Sequence, residues 1–124
     1  MKVEGIRNSY RDLIVWKKAM ELTKQVYLIT KEFPKDELYG LTSQIRRCAV
    51  SIPGNIAEGK GRNSDKEFVR FLQISLGSLY ELQTQLELSI SFEYASNIDS
   101  ILNLSMEIEK MLNKLITVKG GRNV

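Results

Sequence analysis

Ser64-Asp-Lys-Glu-Phe-Val-Arg-Phe-Leu-Gln-Ile-Ser-Leu-Gly-Ser-Leu-Tyr-Glu-Leu-Gln-Thr-Gln-Leu-Glu-Leu-Ser-Ile-Ser91 is an uninterrupted run without proline. It opens on Ser64 and Glu67, the S-x-x-E box in which two side chains satisfy each other's free backbone donors at a helix start. Phe68, Leu72, Leu76, Leu79, Leu86 and Ile90 then fall on one stripe of helical period, and no strand-like alternation competes with it. Phe71, Ile74, Leu82 and Leu88 lie off that stripe. A bundle helix needs one apolar stripe, so a helix apolar nearly all round is buried on two sides. The economical second cover is another subunit, which places Leu82 at a subunit contact. The alternative is a single wide core stripe. Gly77 in mid-helix costs about 1 kcal/mol against alanine, which a close helix approach would offset.

The flanking segments have the same period. Asp12 is placed as the cap of a first helix with Leu13, Trp16, Met20, Thr23 and Tyr27 on its core stripe and Ala19 and Val26 alongside. It runs to Phe33, because Pro34 disfavours helical geometry in the residue before it. A second helix starts near Asp36 with Leu38, Leu41, Ile45, Cys48, Ile52 and Ile56 inward. A fourth opens at Ser96 or Asn97 and carries Ile98, Ile101, Ser105, Ile108, Leu112 and Leu115 before Lys119-Gly120-Gly121-Arg122-Asn123. With 124 residues the chain makes one domain. Short connections set neighbouring helices antiparallel. The expected fold is all-α: an up-down-up-down four-helix bundle over residues 1–124, with tails at 1–10 and 118–124, assembling into an oligomer.

The second helix carries the oddest chemistry. Pro53 removes the hydrogen bond to the carbonyl of Ala49, yet the apolar period passes through Pro53-Gly54, which predicts one continuous, kinked helix. Gln44, Arg47, Ser51, Asn55 and Glu58 form a polar seam beside the apolar stripe; it is a solvated face, a subunit seam or a ligand lining. Ser43, Arg46, Val50, Gly54 and Ala57 make a mostly small third line. Gly54 to Lys60 matches the start of a phosphate-binding loop, G-x-x-x-x-G-K, but Gly61 stands where that motif needs Ser or Thr, and a helix precedes it instead of a strand. Gly59 is therefore read as lying near a helix C-cap.

Composition narrows function further. The chain has no histidine and one cysteine, which removes a histidine general base, a Ser-His-Asp triad and the common zinc sites. Cys48, Trp16, Tyr27 and Phe33 are read as core residues. No catalytic residue, cofactor or metal site is expected. No apolar run is long enough for a membrane span, and the unpaired Cys48 suits a reducing cytoplasm. Net charge is +3, and residues 46–70 hold six Lys/Arg against three Asp/Glu. Arg46, Arg47, Lys60, Arg62, Lys66 and Arg70 are the candidate nucleic-acid contacts, the last four gathered around a helix N-terminus that itself favours anions. The competing reading is a protein-interaction scaffold whose charges are structural.

Four segments together carry a family resemblance: Tyr10-Arg-Asp-Leu-Ile-Val-Trp16; Phe33-Pro34 with Glu37-Leu-Tyr-Gly-Leu-Thr-Ser-Gln-Ile-Arg-Arg47; Ser51-Ile-Pro-Gly-Asn-Ile-Ala-Glu-Gly59 with Arg62; and Gly77-Ser-Leu-Tyr-Glu-Leu82. From about residue 10 to 116 the chain resembles the four-helix bundle proteins encoded in intervening sequences of bacterial large-subunit rRNA. Cys48 departs from the alanine common there, a small apolar exchange. These proteins are similar in fold to retroelement accessory proteins, basic pentameric barrels that bind nucleic acid and a reverse transcriptase. The resemblance implies a ring-shaped homopentamer without enzymatic activity, with RNA or DNA and a reverse transcriptase or other protein as partners.

Overall fold

The structure, a computed structural model, describes residues 9–121. Four helices, α1 (Ile14–Thr30), α2 (Leu41–Lys60), α3 (Asp65–Ser91) and α4 (Asp99–Lys119), account for most of them, with short 3₁₀ turns at Tyr10–Asp12 and Lys35–Glu37. There is no strand among the described residues. Each helix packs on the next, and α1 closes the set against α4. The four-helix bundle read from the apolar periods is therefore present. None of these helices is long and apolar enough to cross a membrane.

The core takes Val15, Ala19, Leu22 and Val26 from α1, Ile45, Ala49, Ile52 and Ile56 from α2, Phe68, Leu72, Leu79, Leu82 and Leu86 from α3, Ile98 from just before α4, and Ile101, Ile108 and Leu112 from α4. The α4 stripe is the predicted one, apart from a half-buried Leu115. On α1 the period is right and the phase is wrong. The inward line is Val15, Ala19, Leu22, Val26 and Thr30, while Met20 and Tyr27 are exposed and Trp16 is only partly covered. Helix α1 packs against both α2 and α4, so the line turned toward those two neighbours is the buried one, whatever the size of its side chains. On α3, Leu82 is fully buried and Ile90 is exposed. The subunit-contact assignment of Leu82 is thus incorrect: Phe71 and Leu82 widen the core stripe, because both α2 and α4 pack on α3. Ile74, Tyr80, Leu88 and Ile90 are the apolar side chains of α3 left open to solvent.

Boundaries also shift. Asp12 sits in the first 3₁₀ turn, and Leu13 is the residue that precedes α1, without a side-chain cap. Helix α1 stops at Thr30, three residues before Phe33, which is nevertheless buried. Helix α2 begins at Leu41 and not near Asp36, since Gly40 (φ −112°, ψ −113°) interrupts the chain; Leu38 is consequently exposed. Helix α4 begins at Asp99 rather than at Ser96 or Asn97 and runs through Lys119, so Tyr10, Val118 and Lys119 belong to ordered turns and helix and not to tails. Of the other predicted tail residues, Ser9 caps the first turn and Gly120-Gly121 follow α4, while 1–8 and 122–124 lie outside the described residues.

Helix α2 continues through Pro53 and Gly54 as expected. The carbonyl of Ala49, left without its usual donor by Pro53, accepts from the Thr23 hydroxyl of α1 at 3.0 Å. Ser75 of α3 donates to the Ile52 carbonyl at 2.9 Å. Neighbouring helices thus supply hydroxyls to the turn that proline disturbs. Gly59 is buried inside α2, two residues before the Gly61 cap, and not at the cap itself. A β-carbon there would meet Phe71 Cβ at 2.6 Å, so glycine permits a close approach of α2 and α3 at this point.

Candidate nucleic-acid interface

The six predicted basic residues separate into two groups. Arg46 and Arg47 lie in the first half of α2, and Lys60 ends it. At 1.5 Å per residue the two groups are about 20 Å apart along the helix.

Lys60, Arg62, Lys66 and Arg70 surround the turn from α2 into α3. The Ser64 hydroxyl caps α3 by accepting from the Glu67 backbone N–H at 3.2 Å. The reciprocal half of the expected capping box is replaced: Glu67 accepts two hydrogen bonds from Arg70, at 3.0 and 3.1 Å. These bonds hold the Glu67 carboxyl below its ordinary value. Arg62 pairs with Glu58 at 2.7 Å. Both guanidiniums also lie over the Phe71 ring, 4.9 Å away for Arg62 and 4.4 Å for Arg70. Arg62 and Arg70 therefore cover an aromatic core residue and are neutralised locally. Lys60 and Lys66 enter no ion pair among the described residues.

Sequence reading missed Lys119. At the end of α4 it lines a cleft of about 320 Å³ with Lys60, Arg62 and the Ser64 cap, and a second one with Lys66. The signal is present in the sequence, since the period Leu112, Leu115 continues to Lys119, but Gly120-Gly121 points to an earlier helix end. Asp65 and Glu67 occupy the first turn of α3, so that helix end brings two carboxylates of its own beside the lysines.

Around Arg46 and Arg47 the surroundings are different. The Arg46 Nε–H donates to the Thr30 hydroxyl at 2.9 Å, and its guanidinium lies 4.8 Å from the Tyr27 ring centre. Tyr27, expected in the core, is the exposed partner of that stack. Arg47 is exposed and has no ion pair among the described residues.

The polar seam of α2 is largely satisfied by its own helix. Ser51 Oγ donates to the Cys48 carbonyl at 2.7 Å, Asn55 Nδ2 to the Ser51 carbonyl at 2.8 Å, and Glu58 holds Arg62. Cys48 is half-buried rather than fully in the core, with its thiol donating to Glu81 Oε2 at 3.3 Å. Burial, with the Glu81 carboxylate beside it, pushes the thiol up to about 11, which leaves it protonated and unreactive near neutrality. Among the described residues no three His, Cys, Asp or Glu side chains gather as metal ligands.

Fold and surface define a protein that is all-helical among the described residues, with lysines from three helices at one end. The chain belongs to the 23S rRNA-intervening sequence protein family, whose model matches residues 11–114. A comparison with solved structures finds a protein of unknown function from the S23 ribosomal protein family of Bacteroides thetaiotaomicron VPI-5482. It is 31% identical, with a TM-score of 0.76, covering 84% of this chain and 96% of that one. A comparison with curated proteins finds no match.

Proposed function

We propose that this chain is a non-enzymatic, cytoplasmic, oligomeric accessory protein that binds RNA or DNA through its basic surface. The observation that carries the reading is the meeting of Lys60, Lys66 and Lys119, from three different helices, around the clefts at one end of the bundle. Lysines that hold no carboxylate are free to exchange their counterions for phosphates, which is where non-specific affinity for nucleic acid arises.

An up-down-up-down course is supported by the contacts between helices: Cys48 meets Glu81 while Gly59 lies against Phe71, and Tyr80 meets Glu109 while Gln83 meets Ser105. Residue numbers rise along one helix as they fall along its neighbour. That course gathers the α2–α3 turn and the end of α4 at the same pole. Assembly into a homopentameric ring, carried over from the family resemblance, would repeat the lysine patch, and several weak patches on one polyanion gain avidity.

The test is a salt titration of binding to a mixed RNA and DNA pool. Wild type should bind at low salt, with affinity falling steeply as salt rises. Lys60→Glu with Lys66→Glu should weaken binding and flatten the salt dependence, by about 0.9 in log–log slope on duplex DNA for each phosphate that is no longer neutralised. The lysines are the positions to substitute, because Arg62 and Arg70 also cover Phe71. Unchanged retention by the double variant would remove this pole as the site. No binding by wild type at low salt would favour the protein-interaction scaffold, the reading that the internal pairing of Arg62 and Arg70 supports.

A further inference from the structure

We propose that the groove between the end of α1 and the start of α2 holds an unpaired base of single-stranded nucleic acid, with Tyr39 as the stacking platform and Arg46 and Arg47 facing the adjoining phosphates. This rests on the nucleic-acid reading above and adds a second, chemically different contact to it. The groove has a volume of about 570 Å³ and is lined by Tyr27, Tyr39, Thr42, Arg46, Arg47 and Val50, among others. That size is within the range of small-ligand pockets, about 300–1,000 Å³.

Two observations point to the occupant. The first is Tyr39, 94% exposed, an unusual position for a large aromatic side chain. Its segment is nonetheless pinned. The Glu37 carboxylate accepts from the Leu41 backbone N–H at 3.3 Å and from the Tyr94 hydroxyl at 2.7 Å, and the Gly40 N–H donates to the Glu37 carbonyl at 3.0 Å. The pinned backbone removes the cost of ordering the segment, leaving only the rotamer of the ring to be fixed when a base stacks on it.

The second observation is charge. The groove is lined by two arginines and by no carboxylate. Arg46 spends its Nε–H on Thr30, and among the described residues neither guanidinium has an acidic partner. Glu37, the nearest carboxylate in sequence, is occupied by Tyr94 and Leu41. A phosphodiester backbone complements this lining.

The experiment compares wild type, Tyr39→Ala, Tyr39→Trp and Arg47→Gln by fluorescence anisotropy. The probes are a labelled single strand, as RNA and separately as DNA, and the same sequence annealed to its complement. Wild type should prefer the single strand. Tyr39→Ala should bind it roughly 5- to 150-fold more weakly, with duplex binding unchanged and Tyr39→Trp restoring the preference. Arg47→Gln should weaken both probes together. The RNA and DNA arms identify which strand the groove prefers. Equal single-strand binding by wild type and Tyr39→Ala overturns the groove assignment while leaving the lysine pole standing. A change in assembly mass in Tyr39→Ala, read by sedimentation, overturns it in favour of a second copy of the chain. Wild type that binds no probe at low salt overturns the nucleic-acid reading itself, and the groove assignment with it.

Discussion

Gly59 and Gly77 have the same propensity and opposite surroundings. A β-carbon on Gly59 would meet Phe71 Cβ at 2.6 Å and Phe68 Cδ1 at 3.2 Å, and Phe71 Cβ is fixed to its backbone and cannot swing away. Gly59→Ala should therefore destabilise the protein by about 1–3 kcal/mol through overpacking, despite alanine's better helix propensity. Nothing lies within 4 Å of a β-carbon on Gly77. Gly77→Ala should stabilise the isolated subunit by up to about 1 kcal/mol. Urea midpoints of the two variants check both signs at once. A fall for Gly77→Ala, at a concentration where the wild type is assembled, would place a second subunit against that glycine.

At the scale of a helix, the informative element is α2. Proline in a helix interior costs about 3 kcal/mol or more when its consequences go uncompensated. Here one consequence is answered from outside, because the Thr23 hydroxyl reaches the Ala49 carbonyl that Pro53 cannot serve. Thr23 lies close to Ala19's carbonyl too, at 2.8 Å, so one hydroxyl hydrogen is shared between two helices. Thr23→Val keeps the shape and removes the donor, and should cost about 1–3 kcal/mol. With Pro53→Ala in place the Ala49 carbonyl regains a backbone donor, and the same Thr23→Val change should cost markedly less. A double-mutant cycle measured by urea unfolding reads the coupling; additive losses would mean that Thr23 does not serve this carbonyl. Pro53 was legible as an anomaly in the sequence, but its compensating partner, 30 positions upstream, was not.

For the molecule as a whole, the exposed apolar side chains ask for a cover. Helix α3 offers less of this surface than its composition suggests, because Phe71 and Leu82 turn inward. Ile74, Tyr80, Leu88 and Ile90 remain on the outside of the same helix. If the chain assembles through this face, Ile74→Glu with Leu88→Glu should reduce the mass in light scattering toward the 14.2 kDa subunit while far-UV helicity is kept. Leu82→Glu should behave differently, losing helicity and assembly together, since it places a charge in the core. An unchanged assembly mass in the Ile74/Leu88 double variant would move the subunit contact to another face.

Residue order alone determined that there are four helices, that α2 runs on through Pro53, which face α4 buries and where α3 begins. Helical period and the Ser64 cap are local properties, and local properties can be read along a chain. Phase was harder to read than period. On α1 and α3 several apolar lines compete, and the neighbour's shape, not hydrophobicity, selected Ala19 over Met20 and Leu82 over Ile90. The candidate surface divided in the same way. Six basic residues were visible in the sequence, and the pairs Glu58–Arg62 and Glu67–Arg70 are local, four and three residues apart; packing added the Phe71 ring beneath both guanidiniums. Packing also brought Lys119 from the far end of the chain to the cleft beside Lys60. Charge is a property of each residue, and carboxylates one turn away can be read along the chain, whereas a partner such as Lys119 is delivered only by contacts remote in sequence.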